Sequence, residues 1–277
     1  MHTTAPSPSL ARDPLPLAGR SALVTGVSRR SGIGFAVACR LAAYGANVTC
    51  HHFGPHDAEQ PWGADSIDAV LAGVAAHAAP GARIEGIFAD LADPDAPARV
   101  VREAEAAVGP LSVLVCNQAL SGSDGLLAEV GADELDRHWA VNARASILLA
   151  RAFAGSGRRG ADGDAGRAIT FLTSGQIEGP MPHEVAYVAS KAALAGLTPT
   201  LADQLADQCI RLNTVNPGPV DSSSYMTDAL KAELLPRFPL GRIGQPDDPA
   251  RLIAWLSTDE AAWVTGQVIS TEGGFRR

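Results

Sequence analysis

The stretch "SALVTGVSRRSGIGFAVACRLAAYG", residues 21–45, decides the fold. Residues 21–26 read as a buried strand running into a turn. Residues 34–45 read as a helix that stops at Gly45, a residue suited to a left-handed helix cap. Between them stand Gly26, Gly32 and Gly34. Glycine lets the backbone turn sharply and come close to a bound pyrophosphate. The helix that follows offers unpaired N–H groups and the positive end of its dipole. Strand, glycine turn and helix in this order read either as a nucleotide-binding junction or as a tight connection without a ligand.

Outward from this unit, strand-like and helical runs alternate. Strands are expected at 47–52, 82–90, 111–117, 167–174, 209–218 and 267–271, making seven with the first. Helices are expected at 66–79, 95–109, 132–154 and 187–205, with two more before the last strand. Residues 53–65 read as a loop insertion and 155–166 as a polar, glycine-rich loop. Such alternation builds βαβ units, hence a parallel sheet covered by helices on both faces. The expectation is an α/β chain with one doubly wound, seven-stranded domain over 17–277, preceded by a flexible tail at 1–16.

Bulk properties narrow the function. The 277 residues are 46% hydrophobic and 19% charged, an ordinary globular balance. A net charge of −8, spread along the chain, argues against a nucleic-acid surface. No apolar run reaches the length of a membrane span, and the N-terminal residues lack the apolar centre of a signal peptide. Cys39, Cys50, Cys116 and Cys209 are scattered, without ligand spacing, so neither a disulfide framework nor a metal site is expected. Three of them lie in apolar runs as buried thiols, which fits a reducing, cytoplasmic setting.

One local feature carries chemistry. Only two of the 22 basic residues are lysines, and one of them, Lys191, stands four residues after Tyr187 in "YVASK". On a helix this places both on one face, a turn apart. An ammonium at such range lowers a phenol pKa by about 1–3. Taken alone, the pair reads more readily as a surface helix contact.

Other segments decide between these readings. "VCNQA" (115–119) follows the fourth strand, Asn142 lies in "VNARA", and Ser174 lies thirteen residues before Tyr187. "NPGPVDS" (216–222) follows the sixth strand, and "VTGQVISTEGG" (264–274) holds the seventh. With this ordered set, and with "TGVSRRSGIG" (25–34) as its glycine loop, the chain resembles the short-chain dehydrogenase/reductase family from about Leu17 onward. The pattern is closest to 3-oxoacyl-carrier-protein reductase-like members. The resemblance implies a Rossmann-like fold and an NAD(P)-dependent oxidoreductase. Such an enzyme moves a hydride between nicotinamide and a carbonyl or secondary alcohol of a mid-sized organic substrate, as in a ketoreductase of fatty-acid, polyketide or other secondary metabolism. Non-redox chemistry (a dehydratase or cyclase) or a nucleotide-binding regulator on the same fold are the alternatives.

The resemblance also distributes roles. Tyr187 is the general acid/base, Lys191 lowers its pKa and holds the nicotinamide ribose, Ser174 polarises the carbonyl oxygen, and Asn142 binds a proton-relaying water. Cofactor contacts are implied for Gly26, Ser28, Arg29, Arg30, Gly32, Ile33, Gly34, His52, Asp90, Leu91, Asn117, Pro217, Gly218 and Val220, with Thr25 bracing the loop. Gln118, Gln176, Met181, His183, Tyr225 and Met226 are candidates to line the substrate space, under a mobile lid at about 221–244. The loop after Ala119 is expected to face the substrate too. Where NAD-preferring relatives hold an aspartate at the end of the second strand, this chain has His52. Arg29 and Arg30 meanwhile offer guanidinium groups to a 2′-phosphate. NADP(H) is therefore expected over NAD(H). The chain departs from the family pattern in three places: a glycine loop two residues longer, Gln118 where alanine is usual, and Ser222 or Ser223 in place of a threonine. Small residues along the Tyr187 helix (Ala189, Ala192, Ala193, Ala195, Gly196) and the apolar last strand point to a homo-tetramer, or a dimer.

Overall fold

The computed structural model describes residues 13–121, 124–156, 166–222 and 225–277. Seven parallel strands form its sheet: β1 (Ser21–Val24), β2 (Asn47–His52), β3 (Ile84–Phe88), β4 (Leu111–Cys116), β5 (Arg167–Leu172), β6 (Ile210–Asn216) and β7 (Val268–Ser270). Across the sheet they run β3-β2-β1-β4-β5-β6-β7. The chain builds outward from β1 to β3, then returns to place β4 on the other side of β1. Connections leaving β1 and β4 therefore diverge, and a crevice opens at the carboxyl ends of these two strands.

Strand pleating decides which core each side chain joins. Ala22 and Val24 of β1 enter one apolar cluster, with α1 (Ile33–Ala43), α3 (Ile67–Ala75) and α9 (Asp247–Leu256). Leu23, between them, enters the other, with α4 (Ala96–Val108), α6 (Ala145–Ser156) and α7 (Val185–Ala206). Strands covered on both faces need continuous apolar runs, which is why "SALV" lacks polar alternation. Leu114 is fully buried on the second face, where such a side chain contributes about 1.5–3 kcal/mol. Leu17 is fully buried and its N–H donates to the Tyr44 carbonyl at 2.9 Å. The expected tail falls mostly at 1–12, and most of the polar loop at 157–165, outside the described residues.

Two elements differ from expectation. The insertion at 53–65 contains a short helix, α2 (Gly54–Ala58). The helix expected over 132–154 is interrupted: α5 (Ala132–His138) passes through a π-helical turn, Trp139–Arg144, before α6. A π turn inserts an extra residue and re-aims the side chains around it, here Asn142. Helix α8 (Asp228–Leu234) lies between β6 and α9. Among the described residues no helix is long and apolar enough to cross a membrane.

Candidate active site

A cavity of about 1410 Å³ fills the crevice and runs from the glycine loop to Tyr187 and Lys191. Its size exceeds that of a pocket for one drug-sized ligand, about 300–1,000 Å³, and leaves room for a dinucleotide beside a substrate.

Three elements bring the expected catalytic residues together. Tyr187 and Lys191 stand one turn apart near the start of α7. Lys191 is 2% exposed, and its Nζ donates to the carbonyl of Leu172, the last residue of β5, at 3.0 Å. The Thr173 hydroxyl donates to the Lys191 carbonyl at 2.9 Å, which locks the end of β5 to α7. Ser174 follows at the start of a 3₁₀ turn (Gly175–Ile177); its hydroxyl lies near enough to the Tyr187 phenol to favour the ionised form, and its Oγ donates to Met181 Sδ at 3.9 Å.

The electrostatics differ from the expected pairing. Burial pushes the Tyr187 phenol above the usual tyrosine range; the Ser174 hydroxyl acts against this, while Glu184 and Tyr225 add to it. Burial also drives Lys191 down to about 8. Lys191 does not hold the phenol low in this geometry. Its Nζ lies 5.7 Å from the ring centroid and is turned to the Leu172 carbonyl, so desolvation outweighs attraction.

Asn142 is fully buried, but its side chain does not line the cavity. Its Oδ1 accepts from the Leu120 N–H at 2.7 Å, and its Nδ2 donates to the Leu120 carbonyl at 3.1 Å and to Ser190 Oγ at 3.0 Å. The carboxamide is thus spent on holding the β4–α5 loop against α7. Its main-chain carbonyl accepts from the Ser146 hydroxyl at 2.7 Å.

At the glycine loop, Gly26 adopts a left-handed φ of +70°, and a Cβ there would lie 2.9 Å from the Gln118 backbone. A Cβ on Gly34 would lie 2.6 Å from the Gly26 carbonyl, so this glycine serves loop closure rather than ligand approach. Asn117 Nδ2 donates to the carbonyls of Thr25 and Gly26, each at 3.0 Å, and the Asn117 N–H donates to the Thr25 hydroxyl. Gly26, Ser28, Gly32, Ile33 and Asn117 line the cavity. The N-cap of α1, Gly32, supplies no side-chain hydrogen bond, so the first-turn N–H groups remain available where a pyrophosphate would lie. These residues fit a dinucleotide. Asp90, Leu91, Pro217, Gly218 and Val220 also line the cavity, while Asp90 caps its own turn through the Ala92 N–H at 2.8 Å.

Two expected cofactor residues point elsewhere. His52 is absent from the cavity wall and packs edge-on against Phe88, with ring centroids 5.8 Å apart. Strand alternation instead turns His51 toward the site: its Nδ1 accepts from the Gly26 N–H at 3.3 Å and its Nε2 faces the Ala89 carbonyl at 3.0 Å. Burial lowers His51 to about 4, so it stays neutral. Arg30 also leaves the cavity wall and pairs with Asp65 at 3.4 Å. Arg29 does line it, but its Nε is bound to Asp57 of α2 at 3.0 Å, its guanidinium faces the Trp62 ring at 5.6 Å, and its Nη1 donates to the Ser222 carbonyl at 3.0 Å. A carboxylate therefore does stand at this end of the site, supplied by the insertion rather than by β2.

Of the expected substrate-lining residues, Met181, His183 and Tyr225 reach the cavity. Met226 is 4% exposed and packs with Phe238 and Ile243, a small core beneath the segment after β6. Gln176 turns inward, donating to Thr173 Oγ1 at 2.8 Å. Gln118 reaches the wall, but its side chain is 5% exposed and consumed internally by Thr25, by Ser146 at 2.9 Å and by the Val141 carbonyl at 3.2 Å. Ser222 lines the cavity; Ser223 lies outside the described residues. Among the described residues no cluster of His, Cys, Asp or Glu could hold a metal ion.

One positioning group was not singled out in the sequence. Asp124 accepts from the N–H groups of Ala186 at 3.0 Å and Tyr187 at 2.7 Å, and so caps α7 from 62 positions away. These bonds and its own Gly125 amide hold its carboxyl below the usual range, against the opposing effect of burial. A sequence signal existed only in part: the loop after Ala119 faces the site, but no local pattern marks which residue caps a distant helix.

Comparison with known proteins agrees with this geometry. The family model described as enoyl-(acyl carrier protein) reductase matches residues 26–276. An uncharacterized oxidoreductase of Bacillus subtilis is 40% identical over 92% of this chain and 96% of its own. The Arabidopsis thaliana NADPH-dependent aldehyde reductase 2 is 32% identical over 96% and 97%. A solved short-chain dehydrogenase/reductase from Serratia marcescens superposes with a TM-score of 0.79 at 32% identity, covering 94% of this chain and 99% of that one. With its switch-point cavity, open α1 N-terminus and Ser174–Tyr187–Lys191 cluster, the chain belongs to the short-chain dehydrogenase/reductase family of NAD(P)-dependent oxidoreductases.

Proposed function

We propose that the protein is a carbonyl reductase, or an alcohol dehydrogenase in the reverse direction, that prefers NADP(H) and acts on a mid-sized organic substrate. One observation carries the reading: Ser174, Tyr187 and Lys191 share a cavity with the uncapped N-terminus of α1. A bound nicotinamide cofactor supplies the hydride to the carbonyl carbon. Ser174 orients the carbonyl oxygen, and Tyr187 donates the proton that this oxygen acquires. The high phenol pKa keeps Tyr187 protonated at neutral pH, the state that reduction requires. Lys191 binds the ribose and, drawn from the Leu172 carbonyl, stabilises the phenolate left after transfer. Asn142 acts as a brace, holding Leu120 against α7 at Ser190.

The NADP(H) preference rests on Arg29, and it is favoured by the NADPH-dependent relative. Asp57 tempers it, because a 2′-phosphate must share the guanidinium with that carboxylate. Gln118, the sequence feature that hinted at non-redox chemistry, has its side chain occupied inside the protein and lends that alternative no support. We further propose a homo-tetramer. Ala189, Ala192 and Gly196 form an exposed strip of small residues on α7, and Trp263 beside β7 is fully exposed. Incubation with NADPH or NADH and a panel of aldehydes and ketones, followed by loss of cofactor absorbance, tests the activity. Absence of turnover with every carbonyl rejects it, and a monomeric mass by light scattering at micromolar concentration rejects the tetramer.

A further inference from the structure

Arg237 sits in a 3₁₀ turn (Leu235–Arg237) that follows α8, on the wall of the cavity that holds Tyr187. Its Nε donates to the Arg276 carbonyl at 2.7 Å, and the Arg276 N–H returns a hydrogen bond to the Arg237 carbonyl at 2.9 Å. Its guanidinium lies over the Phe275 ring, 4.8 Å from the centroid. One edge and one face of the group are therefore fixed, and the two terminal nitrogens are left as an open fork. No carboxylate pairs with it among the described residues.

Other arginines on the wall differ. Arg29 is paired with Asp57, Arg137 with Glu134, and Arg277 with Glu272. Arg144 also has no carboxylate partner among the described residues, but it donates to the Ala92 carbonyl next to Asp90, at the other end of the cavity. Arg237, stacked on Phe275, has only main-chain hydrogen bonds and no carboxylate partner among the described residues. A half-buried cation that is held in place and lacks a counter-charge among the described residues is suited to an anion. Its planar fork suits two oxygens of one group. Asp124 and Glu184 place negative charge at the start of α7, so an anionic tail is steered away from Tyr187 while the carbonyl end faces it.

We infer that the substrate carries an anionic oxygen group, a carboxylate or a phosphate, remote from its carbonyl and bound by Arg237. This rests on the carbonyl-reductase reading. The test compares NADPH-dependent reduction of 4-carboxybenzaldehyde, 4-formylphenyl phosphate and the neutral methyl 4-formylbenzoate, by wild type and by Arg237→Gln. Wild type should prefer at least one anionic aldehyde over the ester by about tenfold in kcat/KM, mainly through KM. The ratio of the two anionic arms separates a carboxylate site from a phosphate site. Arg237→Gln should erase the preference and leave reduction of the ester within about twofold, which also shows that the variant is folded. An unbiased wild type, or a variant that keeps the bias, overturns the proposal. If no aldehyde is reduced, it is the carbonyl reading that fails. A terephthalate titration followed by tryptophan fluorescence then still decides the anion site: an equal Kd in both proteins overturns it, and a Kd at least about fivefold weaker in Arg237→Gln upholds it.

Discussion

The two halves of the cavity are built on different principles. On the β5–α7 side, Lys191 is anchored to the Leu172 carbonyl and Thr173 to the Lys191 carbonyl. Each partner is set by the register of a strand or a helix. On the β1–β2 side, Arg29 is held by Asp57, Trp62 and the Ser222 carbonyl, all from irregular segments or the short helix α2. Under the proposed function, reaction chemistry rests on rigid elements, whereas cofactor discrimination rests on loop side chains that already satisfy one another. The first arrangement is tied to the backbone of β5 and α7; the second can be re-poised by one substitution.

The strongest test of that contrast removes the phenol oxygen. Tyr187→Phe should lower kcat by about 10²–10⁴ while cofactor affinity, measured by fluorescence titration, stays within a few fold. A variant retaining a tenth of wild-type kcat would take Tyr187 out of the proposed chemistry. Lys191 comes next. With its pKa near 8, the ammonium is present below that pH and lost above it, so the reduction rate should fall as pH rises through about 8. Lys191→Ala should lack this limb and should weaken both rate and cofactor binding.

A smaller effect is expected at Asp124, the cap that joins the loop after β4 to α7. Asp124→Ala removes acceptors from two helix N–H groups, and such a cap contributes about 0.5–2 kcal/mol. We expect kcat to fall about tenfold with cofactor Kd unchanged, and Asp124→Asn, which keeps an acceptor, to recover most of it. A parallel fall in cofactor affinity would mean that the two halves are not separable. The smallest change is expected on the adenosine side. Asp57→Asn should free Arg29 and raise the NADPH/NADH ratio of kcat/KM by up to about tenfold. Arg29→Ala should lower the same ratio, and Arg30→Ala, remote from the cavity, should leave it alone. An Arg30 effect as large as that of Arg29 would mean that the loop rearranges.

The amino-acid sequence by itself determined the strands, their parallel sense and the positions of Ser174, Tyr187 and Lys191. Apolar runs and glycine caps report burial locally, and the spacing from Tyr187 to Lys191 reports one helical turn. Counting along the chain placed His52 at the site; in the folded sheet His52 packs on Phe88 and His51 turns to Gly26 instead. Likewise Met226 and Gln176 carry the right chemistry for a substrate wall, but packing under the segment after β6 and a bond to Thr173 took them inside. Asp57 on Arg29, Asp124 on α7 and Arg237 without a carboxylate partner among the described residues were decided by tertiary structure alone. Each depends on a partner, or the lack of one, far away in the chain, and no periodicity along a sequence encodes which distant charge a side chain will meet.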